Sequence, residues 1–229
     1  MEKKKGVVLK KIRENGLSLQ DVSEEFRDDK EVVLEAVKKS GEALSYASER
    51  LRADKEIVLI AIEQAVWALH DASEELKNDK EVVLAAVRQN GYTIRYGSEE
   101  LRADKEVILT AVKSRGLALQ DASEELRADK EVILTAIKNH GLSLQYASKE
   151  LRNDKEVVLE AVNQNKNSLQ YASGELRNDR EFLYEIKDII SDNKEEYFEE
   201  YDLLLRYERE DDLSAEMKNT KTSMNRKKI

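Results

Sequence analysis

The chain has 229 residues, 38% of them charged and 40% apolar, with a formal net charge of −9 and neither proline nor cysteine. The lack of cysteine excludes disulfides and thiolate chemistry. No stretch reaches the roughly 18 consecutive apolar residues that a membrane span needs, and the basic start Met1–Lys5 is followed by no apolar signal region, so a cytoplasmic protein is expected.

Taken in order, Lys4–Asp28 (KKGVVLKKIRENGLSLQDVSEEFRD) is a modified copy of a motif that becomes explicit at Asp29. Lys4 stands where later copies have Asp, and Lys11 where they have a small Ala. Residues 1–28 are therefore expected to be an N-terminal capping repeat, because one face of a terminal repeat meets water. From Asp29 the opening Asp-Lys-Glu recurs at Asp54, Asp79, Asp104, Asp129 and Asp154, and as Asp-Arg-Glu at Asp179, always 25 residues apart. A fixed period of this size marks a stacked repeat protein.

The first full copy shows why the unit must be helical. Val32, Val33, Ala36 and Val37 follow the i, i+1, i+4, i+5 spacing of a helix face. Asp29 suits the N-cap, and Glu31 the positive end of the helix dipole. Gly41 is read as a residue at positive φ that stops this helix. A second helix of about eleven residues is expected to carry Leu44, Ala47, Ser48 and Leu51 on one face. Residues 29–178 thus predict six helical-hairpin repeats. The fold class is all-α, an α-solenoid of 25-residue helix-turn-helix repeats.

Two copies depart from the pattern. Val66 replaces the glycine of the second copy and is followed by Trp67, so the turn there must differ or the two helices must run together. In the last full copy Lys166 stands at the glycine position, and Asn165 is expected to take the left-handed conformation instead. Beyond Asn178 the motif fades. Phe182, Leu183, Ile186 and Ile190 form a helical stripe, and Tyr197, Phe198, Tyr201, Leu204 and Leu205 another. Residues 179–213 are expected to be C-terminal capping helices, and residues 214–229 a basic, disordered tail.

The copies differ mainly at their seventh, eleventh and fourteenth positions. Glu35, Lys39, Ile60, Gln64, Trp67, Gln89, Tyr92, Thr110, Ser114, Thr135 and Asn139 are therefore the candidate partner-binding face. The alternative is that these are solvent positions free to drift. The eighteenth position alternates Asp21, Tyr46, Asp71, Tyr96, Asp121, Tyr146, which suggests a true unit of a repeat pair. It also suggests a ladder in which each phenol donates to the carboxylate of an adjacent copy. The recurring Ser48, Ser73, Ser98, Ser123, Ser148 and Ser173 have no adjacent base or oxyanion site, and are read as small residues that let helices approach. His70 and His140 fall at different repeat positions, so no metal site is expected. No phosphate-binding glycine loop occurs, and no cofactor is expected.

The motif D-K-E-V-[VI]-L-x-A-[VI] followed by G-x-x-L-x-[YD]-A-S-E-E-L-[RK], from Lys4 to about Ile190, resembles the domain-of-unknown-function family 4116. The resemblance implies tandem helical units of just under 50 residues and carries over no catalytic residues. The expected function is a non-catalytic scaffold for protein–protein interaction, with an unidentified protein partner. The alternative is a single-stranded nucleic-acid reader, one copy per base. The acidic repeats lack the basic stripe that such a reader needs, and nucleic acid is the less favoured partner.

Overall fold

A computed structural model describes residues 2–190 of the chain. Among the described residues every regular element is helical. Residues up to Asp179 form one compact unit, and the helix Arg180–Ile190 belongs to a second. The remainder of the expected C-terminal capping helices, and the expected disordered tail, lie outside the described residues.

Each copy in the first unit has three parts. In the copy from Asp29 these are a ten-residue helix Lys30–Lys39, a six-residue 3-10 helix Gly41–Tyr46, and a four-residue helix Glu49–Arg52. The long helix starts as expected. The Oδ1 of Asp29 accepts from the amides of Glu31 and Val32 at 3.0 and 3.3 Å. Val32, Val33, Ala36 and Val37 are fully buried. A helix this short is marginal alone in water, so its stability comes from burying that face against neighbouring copies.

The expected second helix is two elements. Ala47 is extended and separates the 3-10 helix from the short helix. Ser48 then caps the short helix, its Oγ accepting from the Leu51 amide at 3.3 Å. The same bond forms at Ser73, Ser98, Ser123, Ser148 and Ser173. These serines are retained as caps, which corrects their reading as mere small residues.

Gly41 also differs from expectation. None of the described residues has positive φ, and the long helix ends instead at extended Ser40, φ −152°. The glycine is needed because the next copy lies against it. A Cβ on Gly41 would stand 2.2 Å from the carbonyl oxygen of Ala61. The equivalent approach recurs at Gly16, Gly91, Gly116 and Gly141, each against the alanine carbonyl of the following copy.

Where glycine is missing, the helices do not fuse. Ala65 is extended, φ −146°, and the 3-10 helix Val66–Asp71 follows as usual. The added side chain is accommodated by a looser junction: helices Lys55–Gln64 and Lys80–Gln89 pack less closely than the other successive pairs between Lys30 and Gln164. Asn165 is likewise extended rather than left-handed, φ −156°, and its side chain caps the following 3-10 helix through the Asn167 amide at 3.0 Å.

Successive copies are tied by two further ladders. The amide of Ser48 donates to the Arg27 carbonyl at 2.9 Å, and this bond repeats through Ser173 and Arg152. A charged ladder runs beside it. Lys55 Nζ lies 2.7 Å from Asp79 Oδ2 and 2.8 Å from Glu81 Oε2. The pairing of each lysine with the next copy's Asp repeats from Lys5 through Lys155. The aspartate therefore works twice, with one oxygen on its own helix and the other on the preceding copy.

This arrangement sets a pH dependence. Burial pushes these carboxyls up, but the lysine ammonium and the two helix amides outweigh it and hold Asp29, Asp54, Asp79, Asp104 and Asp154 below the ordinary 3.8. At Asp129 the Lys105 hydrogen bond is the largest influence, with the same outcome. The partner lysines are raised above 10.5, first by the Asp and then by the Glu. A depressed carboxyl stabilises the fold fully above its unfolded pKa, and the contribution is lost as pH falls through the folded value. The raised lysines contribute fully below 10.5 and lose that contribution as pH rises through their folded values. Melting temperature followed by circular dichroism should therefore form a plateau that falls on both sides. A flat acid limb below pH 4 would contradict the ladder.

Candidate interaction surface

The first copy shows how the stack meets water. Lys11, at the position of the buried alanine, is exposed and pairs with Asp21 at 3.3 Å. The outer face of this first helix is mixed, since Val7 on it is 71% exposed.

The candidate positions divide by role. At the seventh, Glu35 accepts from Arg13 Nε of the preceding copy at 2.9 Å. Thr110 and Thr135 turn their hydroxyls back to Glu106 and Glu131 carbonyls in their own helices. Ile60 is half-buried. At the eleventh, three residues serve the junction with the copy before. Ser114 Oγ accepts from the Gly91 amide at 3.1 Å, and Asn139 Oδ1 from the Gly116 amide at 2.7 Å. Asn139 also donates to the Lys113 carbonyl at 3.0 Å. Gln89 donates to the Ile62 carbonyl at 3.3 Å, across the loosened junction after Val66. Lys39 and Gln64 are exposed and make no side-chain bond among the described residues.

The fourteenth position lies on the 3-10 helix rather than on the long one. Tyr92 is half-buried there, and Trp67 is 46% exposed. Trp67 packs edge-on against Tyr96 of the next copy, with ring centroids 6.2 Å apart. Tyr96 is also edge-on to His70, at 5.1 Å. His70 Nδ1 in turn lies 3.0 Å from Asp71 Oδ1. Three rings from two copies thus meet at one exposed place. Trp67 belongs to the candidate face read from the sequence, whereas Tyr96 entered that reading only as a ladder phenol and His70 only as a histidine without metal partners. Their part depends on which copies face each other.

The expected Tyr–Asp ladder does not form among the described residues. Tyr146 donates to Gln120 Oε1 at 3.2 Å, not to a carboxylate. Burial, then the neighbouring Tyr92, Asp121 and Tyr171, push its phenol up. Asp121 is itself pushed up by burial, against the pull of Arg95 and Arg102. Gln120 stands between the two groups: its Oε1 accepts from Tyr146, and its Nε2 lies 3.5 Å from Asp121 Oδ2.

Among the described residues no group of three or more His, Cys, Asp or Glu side chains is placed to hold a metal ion. No helix among them is long and apolar enough to cross a membrane. Neither a curated protein nor a solved structure matches the chain. One family model matches it four times in tandem, over residues 5–52, 54–102, 104–152 and 154–194, so each of the first three matches takes two 25-residue copies and the fourth takes one and the start of the next. With matches over most of its length, the chain belongs to the family described as domain of unknown function (DUF4116).

Proposed function

We propose that the chain is a non-catalytic helical-repeat scaffold that binds a protein partner through the Trp67 surface. The observation that carries this reading is the exposed indole, held edge-on by Tyr96 beside His70. A tryptophan that is both open to solvent and fixed in orientation is what a partner can bury at low entropic cost, and such residues dominate interface energies. Half-buried Ile60 and Val66 belong to the same copy and add apolar character to it.

Trp67 is the chain's only tryptophan, which makes the test direct. A partner that covers it should shift its fluorescence to shorter wavelength. Trp67→Ala should weaken capture of that partner about 30-fold, the effect of a hot-spot residue, with an unchanged circular dichroism spectrum. Equal capture by wild type and variant would remove Trp67 as the anchor. A salt-sensitive indole response to single-stranded RNA would favour the nucleic-acid reading instead.

A further inference from the structure

The twenty-first position of the copies carries Glu24, Glu49, Glu74, Glu99 and Glu124. In three copies this carboxylate answers the cation three residues later. Glu74 lies 2.8 Å from Lys77, Glu99 3.9 Å from Arg102, and Glu124 3.9 Å from Arg127. The next two copies break the pattern in succession. Lys149 occupies the position in one and Gly174 in the other. Arg152 and Arg177 thereby lose the carboxylate on their own turn, and neither side chain has a bonded partner among the described residues.

The three cations come together. Lys149, Arg152 and Arg177 line one cleft of about 370 Å³, with Gln170, Tyr171 and Ser173. The backbone differs here too. The segment Leu151–Asn153 is a 3-10 turn, where the copies before and after have the short α-helices Glu124–Arg127 and Gly174–Arg177. Arg152 Nε is buried and unpartnered, as are the equivalents Arg27, Arg52 and Arg102. Two carboxylates stand nearby, and both are engaged. Glu175 accepts from Asn153 Nδ2 at 3.0 Å. Glu150 is held below the ordinary carboxyl range by its own backbone amide, then by the Ser148 hydroxyl and, more weakly, by the Lys149 ammonium.

We infer that this cleft is an anion site for a phosphate-type dianion, bound by the guanidinium groups of Arg152 and Arg177 with Lys149 adding charge. Guanidinium forks match the oxygens of a phosphate in pairs, and an ammonium adds a mobile point charge. The cleft's size falls at the small end of ligand sites, about 300–1,000 Å³, so a phosphate can enter with the group it is attached to. The inference is independent of the Trp67 reading, because the two places share no residue.

The repeat itself supplies the test. Lys149→Glu combined with Gly174→Glu restores the residue that five other copies carry. A Cβ at Gly174 meets nothing within 4 Å, so the change fits without repacking. Inorganic phosphate titrated into the full chain at low ionic strength should give saturable amide shifts centred on residues 149–177. The double variant should keep its melting temperature and lose affinity about tenfold or more, as expected when charge-assisted bonds are withdrawn. Unchanged affinity in the variant would overturn the site, as would uniform, unsaturable shifts in the wild type. A phosphoserine peptide and its unmodified twin distinguish the sources. Binding of the modified peptide above that of free phosphate assigns the anion to a protein, and the reverse order to a small solute. Either order upholds the site if the double variant abolishes it.

Discussion

Gly91→Val is expected to lower folding stability by about 1–3 kcal/mol, the cost of forcing extra carbon into a packed core. A Cβ at Gly91 would stand 2.1 Å from the Ala111 carbonyl oxygen. That oxygen cannot step aside alone, since it also accepts from the Arg115 amide at 2.8 Å at the end of its helix. The whole long helix of the next copy must withdraw. In a repeat array stability is close to a sum of unit and junction contributions, so the damage should stay at the junction near Asp104. Hydrogen exchange should show lost protection on both sides of it, and urea unfolding a broader transition. Gly174→Ala is the control. Nothing lies within 4 Å of its added carbon, and it should change stability by no more than about 0.5 kcal/mol. Equal effects at the two glycines would refute the close-approach account.

The second large effect is expected at Asp79. Its Oδ1 accepts from the Glu81 and Val82 amides at 3.0 and 3.2 Å, while Oδ2 meets Lys55 Nζ at 2.7 Å. Asp79→Ala removes the start of one helix and its tie to the preceding copy together. The loss of the cap alone is expected to cost about 1–2 kcal/mol. Asp79→Asn keeps an oxygen for the two amides and gives up only the charge, so it should cost less than half as much. It should also flatten the acid limb of the stability profile, because one depressed carboxyl is gone. Urea unfolding of both variants at pH 7 and pH 4 measures this. A loss at Asn equal to that at Ala would assign the effect to the ion pair rather than to the cap.

The long helices were legible because their signals are local. An Asp, two charged residues and an apolar stripe specify the start and the buried face within one turn or two. The short helix was legible too, although it was read as the end of a longer one. Ser48 followed by Glu49, with Arg52 closing, is a start signal in its own right, and it was overridden by the continuing apolar spacing through Leu44, Ala47 and Leu51. The glycines were misassigned for a different reason. What excludes a side chain at Gly41 is the Ala61 carbonyl of another copy, and single-residue preferences carry no information about that neighbour. The lysine ladder was hidden in the same way. Lys55 and Asp79 are 24 residues apart, and only the 25-residue stacking brings them within 2.7 Å. The candidate surface was half visible. Variation drew attention to Ser114 and Asn139, whose variety serves to satisfy backbone amides of the copy before. Trp67 stood out in the sequence either as an interface anchor or as a residue packed on a neighbouring copy, and it is both 46% exposed and edge-on to Tyr96.

The lysine-to-aspartate pairing points one way along the chain. Severing the polypeptide in the loop between two copies would leave an unanswered ammonium on one fragment and an unanswered carboxylate on the other. The cut surfaces would also keep their matching glycine and carbonyl shapes. Each fragment would then be the other's natural binding partner, so separately produced halves should recombine in their original order rather than head to head.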